Sequence, residues 1–260
     1  MKKLYLIPDP RDLEESVSLA ESYDAAFEYN DFFIPRVLDD RELLFKTIDM
    51  YKALPRERKN DTMHGAFLDV TVHSEDPLIR EISEKRVLQS MEAAKELSLR
   101  GVVFHTGTIP NFSSSVYEKC WLSANISFWS SVCERYPDTR IYMENMFDIE
   151  PDLLLALAEE TKDIPNFGIC LDYAHAKVFG GDPYKWLKLL APYVLHMHIN
   201  DNDGKSDLHL AVGDGIIDWN EFSKGIADLD IKPSVLIETS AIDRQKRSLE
   251  FMSANKIYPF

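Results

Sequence analysis

The densest potential chemistry in this chain runs from His196 to Trp219, where His196, His198, Asp201, Asp203, Asp207, His209, Asp214 and Asp218 crowd into one short stretch. The stretch opens as a brief apolar run and continues as a loop rich in imidazoles and carboxylates. Folding alone does not call for so many metal-ligating groups. Further candidates lie elsewhere, each at the end of a predicted strand or just beyond it: His64, His105, Glu144, Asp172, His175 and Glu238. Imidazole nitrogens and carboxylate oxygens converging from successive strand ends are the donor set of a divalent-metal site, and buried carboxylates among them also suit general acid–base work.

The elements that must position these residues follow from hydrophobic period. Short β-like runs are predicted at 3–7, 24–30, 61–68, 101–105, 140–144, 167–172, 193–198 and 234–238. Helical stretches alternate with them at 11–22, 39–54, 77–98, 115–135, after Pro151, up to about 190, at 219–228 and at 243–254. Pro151 suits a helix's first turn, with Asp148 or Glu150 in support. Eight strand–helix units with short connections predict parallel strands and right-handed crossovers, and a closed (β/α)8 TIM barrel of the α/β class spanning residues 1–260 as a single domain. An open doubly wound sheet is the competing solution, but no Gly-rich fingerprint follows the first strand.

Alternation along a strand then sorts the candidates. With Val102 and Phe104, Ile141 and Met143, Ile169 and Leu171, and Val235 and Ile237 facing the helices, His105, Glu144, Asp172 and Glu238 face the barrel axis. The same parity turns His196 and His198, His64 and Glu28 inward. His73 and His196 read as structural. Phe32, Phe33, Phe67, Phe147, Phe179 and Trp219 follow strand ends and are candidates to line a pocket.

Composition narrows the setting. There are 44 acidic against 29 basic residues, a net charge of −15, which argues against a broad nucleic-acid surface. The three cysteines, Cys120, Cys133 and Cys170, have no CxxC spacing and read as reduced thiols of a cytoplasmic protein. No run approaches the roughly 18 apolar residues of a membrane span. Exposed barrel helices leave homo-oligomerisation open. No phosphate cradle stands out beyond the Gly213-Asp-Gly215 turn.

Several motifs together resemble the xylose-isomerase-like TIM barrels, which join sugar and sugar-phosphate isomerases and epimerases with endonuclease IV-type AP endonucleases. They are Val103-Phe-His105-Thr-Gly107, Met143-Glu144-Asn145, Cys170-Leu-Asp172-Tyr-Ala-His175, His198-Ile-Asn-Asp201, Asp207-Leu-His209 and Leu236-Ile-Glu238. In the isomerase and epimerase branch the resemblance implies one divalent ion (Mn2+, Mg2+, Co2+ or Zn2+) on Glu144, Asp172, His198 and Glu238. Glu144 and Glu238 would be the catalytic pair, moving a proton through a metal-stabilised enediolate of a small sugar or sugar phosphate. His175, Glu28, Phe67 and Trp219 would touch that substrate. In the endonuclease branch it implies three zinc ions and a phosphodiester substrate. One ion takes His64, His105 and Glu144, the second Glu144, Asp172, His198 and Glu238, and the third His175, Asp207 and His209. Arg36 and Phe67 stand where DNA contacts would fall, but the acidic balance and the missing basic stripe favour the sugar branch.

Overall fold

The computed structural model describes residues 3–112 and 114–260. Eight parallel strands close into a barrel in sequence order, β1 Leu4–Leu6, β2 Ala26–Tyr29, β3 Thr62–His64, β4 Gly101–His105, β5 Arg140–Glu144, β6 Phe167–Asp172, β7 Val194–Ile199 and β8 Ser234–Ile237, with β8 pairing back onto β1. Helices α1 Leu13–Ser22, α2 Pro35–Asp39, α3 Arg41–Lys52, α4 Pro77–Glu96, α5 Ser115–Arg135, α6 Asp152–Thr161, α7 Tyr173–Val178, α8 Pro183–Leu190, α9 Trp219–Asp228 and α10 Ile242–Asn255 wrap its outside. This is the TIM barrel expected from the strand–helix alternation. Among the described residues, no helix is long and apolar enough to cross a membrane.

The apolar residues divide by parity. Val102, Phe104, Ile141, Met143, Ile169, Leu171, Val235 and Ile237 join the core between sheet and helices. Tyr5, Ile7, Ala26 and Leu236 pack on the axis, as do Val103, Tyr142 and Cys170. Fully burying one such side chain stabilises by about 1.5–3 kcal/mol.

Aspartates start many of the helices. Asp12, Asp40, Asp76, Asp182 and Asp218 accept backbone N–H bonds in the first turns of α1, α3, α4, α8 and α9. A carboxylate there satisfies orphan donors and opposes the positive end of the helix dipole, so part of the acidic excess serves the fold.

Boundaries differ from the sequence reading where such caps or tight contacts intervene. Asp40 divides the helix expected over 39–54 by capping α3 through Glu42 and Leu43. The stretch up to 190 breaks between α7 and α8 at Gly180-Gly181, where Gly181 has φ +79°. Asp148 does not support the end of α6. It accepts bonds from Thr106, Thr108 and the Met146 N–H, tying the loops after β4 and β5 together. Glu150 instead bonds Lys185 on α8. The third strand stops at His64, just before Gly65, whose N–H still bonds Val103 O and whose backbone lies against the Phe104 ring, where an added Cβ would sit 2.3 Å from Cε1. Phe104 is buried in the core and cannot swing away without opening a void. Gly65→Ala is therefore expected to destabilise the fold by about 1–3 kcal/mol, read as a lower denaturant midpoint at unchanged slope.

Candidate metal centre

The closed register brings the C-terminal strand ends level. His105 lies beside Glu144, Glu144 beside Cys170, Asp172 beside His198, and His198 beside Leu236, two residues short of Glu238. Among the described residues four groups of ligand atoms result, each with its atoms within 4.8 Å of one another: His64, His105 and Glu144; Glu144, Asp172, His198 and Glu238; His175, Asp207 and His209; and, deeper in the barrel, Cys170, His196 and His198. Glu144 belongs to two of them. Its Oε2 lies 3.1 Å from His105 Nε2 and 3.4 Å from His64 Nε2, while its Oε1 lies 3.1 Å from His198 Nδ1.

Main-chain carbonyls orient three of the imidazoles. His64 Nδ1 lies 2.9 Å from Gly65 O, His175 Nδ1 3.0 Å from Asn145 O, and His209 Nδ1 2.8 Å from Glu238 O. Each Nδ1–H donates to its carbonyl, which turns Nε2 into the cluster, the orientation of metal-ligating histidines. His175 Nε2 and His209 Nε2 then meet the same Asp207 oxygen at 3.3 and 3.1 Å. His64 Nε2 and His105 Nε2 stand 3.1 Å apart. Two imidazole nitrogens that close need either one proton or one cation between them.

Other side chains brace the ligands. Asp172 ends β6 and also caps α7, accepting the His175 N–H at 2.6 Å, which fixes His175 one helical turn onward. Asn145 locks β5 to β6 by donating to Asp172 O and accepting from Asp172 N. Asp201 organises the loop that carries Asp207 and His209. It accepts from the N–H groups of Asn202, Gly213 and Ile217 and from the Trp219 indole, and its backbone pairs antiparallel with Leu210. Asn145 and Asp201 appear in the sequence motifs, but their bracing role depends on contacts that spacing does not show. Since its N–H bonds Asp201, Gly213 is already occupied, and its turn does not form a phosphate cradle.

The electrostatics are severe. Burial opposes ionisation of Glu144, but His198 and His105 outweigh it and hold that carboxyl well below its usual range. Burial also opposes charge on Glu238, yet His198 and His209 draw it down to about 2. Asp172 goes the other way: burial lifts it well above the ordinary value, and Glu238 and Glu144 add to that. Burial likewise disfavours His198 as a cation, but Cys170, Glu144, Glu28 and Glu238 raise it well above the usual imidazole value. His209, opposed by burial, is lifted to about 10 by Glu238 and Asp207. His73 lies apart, drawn down to about 4 by burial and packed edge-on against Tyr117.

A divalent cation fits this donor set. Both Glu144 oxygens, Asp172 Oδ2, His175 Nε2, His198 Nδ1 and Asp207 Oδ1 are buried without a hydrogen-bond partner. Orphaned buried acceptors are costly, and so many aimed at one space call for a positive charge there.

The remaining expected residues sort by position. Phe67 stacks edge-on to His64 and His105, with ring centroids 5.1 and 5.0 Å apart, and lines a cavity of about 280 Å³ with His105, Met146 and Phe147. Phe33 packs on Phe67, and Phe179 lies against Phe147 and His175. Phe32 is wholly buried against Tyr51. Trp219 is buried against Tyr173 and Phe222, and its N–H is held by Asp201. Glu28 lies inside the barrel in contact with His196 and His198. Arg36 is exposed on α2.

Residues 23–255 match the family described as xylose isomerase-like TIM barrel, and the chain belongs to that family. Among its relatives is the uncharacterised protein MJ1311 of Methanocaldococcus jannaschii, 28% identical over 201 residues, which are 73% of this chain and 68% of that one. Among solved structures, the TTHB071 protein of Thermus thermophilus, soaked with ZnCl2, superposes with a TM-score of 0.76 at 24% identity over 97% of each chain. A D-tagatose 3-epimerase-like protein superposes with a TM-score of 0.75 at 24% identity, over 98% of this chain and 96% of that one. At these identities the likeness to the two structures is one of fold.

Two outcomes are expected here. Zinc or manganese added to chelator-stripped protein should raise the thermal midpoint, because a ligand bound only by the folded state stabilises it; an unmoved midpoint would contradict the fit. Asp201→Ala should loosen the 201–219 loop and weaken zinc binding at His175, Asp207 and His209 more than at the central group, read by titration against a chelator.

Proposed function

We propose that this protein is a metal-dependent isomerase or epimerase of a small sugar or sugar phosphate. The observation that carries the reading is the buried group of Glu144, Asp172, His198 and Glu238, two of whose members are glutamates on separate strands. These four residues would hold one divalent ion, which when bound supplies electrostatic stabilisation of negative charge developing on substrate oxygens. The glutamates then carry the proton. One carboxylate removes the proton from the carbon beside a substrate carbonyl, and the electron pair left behind moves toward the carbonyl oxygen. The other glutamate, entering the cycle protonated, gives its proton to the opposite face of the same carbon in an epimerase; in an isomerase the proton goes to the former carbonyl carbon while the neighbouring hydroxyl proton passes to the former carbonyl oxygen. Phe67, Phe147 and Phe179, half-buried around the histidines, shield the transfer from bulk water. The fold likeness to a D-tagatose 3-epimerase-like protein supports the same reaction class.

A second reading has its own observation. The His64–His105–Glu144 and His175–Asp207–His209 groups flank the central one, a donor set suited to three ions and to hydrolysis of a phosphoester. The acidic balance of 44 against 29 weighs against DNA as that ester.

Ketoses, aldoses and their phosphates incubated with the manganese- or cobalt-loaded protein in D2O should yield an epimer or isomer carrying deuterium. Glu144→Gln and Glu238→Gln should each cut turnover by about 10²–10⁴-fold while circular dichroism stays unchanged. Full turnover in either variant contradicts the proton-transfer reading. Phosphoester cleavage without any C–H exchange would establish the second.

A further inference from the structure

His198 is oriented differently from three of the other imidazoles at the site. His64, His175 and His209 each give Nδ1–H to a main-chain carbonyl. His198 turns Nδ1 toward the ligand cluster, 3.1 Å from Glu144 Oε1 and 3.5 Å from Glu238 Oε1. Its Nε2 faces the other way, into the barrel interior toward Glu28. What meets it there is Glu28 Oε1 at 2.9 Å, a close ion contact set off the line of the ring N–H, so that neither atom has a hydrogen-bond partner.

Glu28 is itself wholly buried and held from the other side. Thr62, its register neighbour on β3, donates to Oε2 at 2.6 Å. His196 Nε2 lies 3.2 Å from the same oxygen, and His196 Nδ1 lies 2.7 Å from Ser234 Oγ. Tyr5 and Tyr142 pack against the His196 ring with centroids 5.1 and 5.4 Å away. The carboxylate is thus held by a hydrogen bond from β3 and by close imidazole contacts from β7, with one oxygen facing His198.

We infer that Glu28 is the positioning residue of the metal centre: its carboxylate, in close ion contact with Nε2, keeps the ring proton on that nitrogen, which selects the tautomer with a bare Nδ1 and leaves that nitrogen facing the ion. Outer carboxylates of this kind set ring orientation and raise ligand basicity, and removing one costs about 10- to 100-fold in metal affinity. The sequence reading, which took Glu28 for a substrate contact, is replaced by a role one step behind the ligands. The inference rests on the metal-centre reading of the site and not on which substrate is turned over.

The test is a zinc titration of the full chain in competition with a chelator, followed by the ring ¹⁵N resonances of His198, which read affinity at that imidazole alone. Wild-type protein loaded with zinc should show His198 protonated at Nε2 and bound through Nδ1. Glu28→Gln should bind zinc about 10- to 100-fold more weakly at His198, and its cobalt-loaded form should show a shifted visible absorption band. A folded Glu28→Gln protein with wild-type affinity and an unshifted band would overturn the inference. If that variant does not fold, the wild-type spectrum still decides, because zinc on Nε2 would overturn it equally. A wild-type chain that binds metal this way but transforms no sugar leaves the inference standing and removes the proposed activity. A wild-type chain that takes up no divalent metal removes both.

Discussion

Three carboxylates, Glu144, Asp172 and Glu238, are held around one imidazole, His198, at the mouth of a closed barrel, and all four are buried. Like charges at such spacing in a low-dielectric setting repel strongly, and the residues cannot separate without breaking strand register. Much of the upper barrel follows from this constraint. The opposing shifts of Glu144 and Asp172 express it directly: one carboxyl keeps its charge against the neighbouring imidazoles and the other is driven toward its neutral form. A centre so arranged is compact only when positive charge balances it.

The fold holds the groups in place by giving single residues two tasks. Asp172 ends a strand, starts a helix and faces the cluster. Glu238 offers its side chain to the centre and its main-chain oxygen to His209. Asp201 gathers four donors and so turns a long loop into a fixed platform for Asp207 and His209. Glu28 lies beneath His198. Tight geometry of this sort is what a site gains when its ligands sit on strand ends and their orienting partners are packed behind them.

Parity was the part of this architecture most legible from residues alone. Side chains alternate strictly along a strand, so a hydrophobic pattern that marks the helix-facing side also marks the axis-facing side, and the inward His and Glu residues followed. What alternation does not encode is contact across the barrel. That Glu28 meets His198, or that Asn145 grips Asp172, depends on which strands close on which and at what stagger. Loop residues were legible only as types. Trp219 looked like a pocket wall because it follows a strand end, but its ring completes the packing of Tyr173 and Phe222. Asp148 looked like a helix support, yet two threonines on the neighbouring loop claim it. The close approach of Gly65 to the Phe104 ring, residues far apart in sequence, was equally hidden.

The central claim is that these buried groups form a metal centre, and anomalous diffraction tests it most directly. Crystals of zinc-loaded protein, measured on both sides of the zinc absorption edge, should show an anomalous peak enclosed by Glu144, Asp172, His198 and Glu238. Peaks beside His64 and His105, and beside His175 and Asp207, would mark the flanking groups as occupied too. Zinc-loaded crystals with no anomalous density among those four residues would contradict the account.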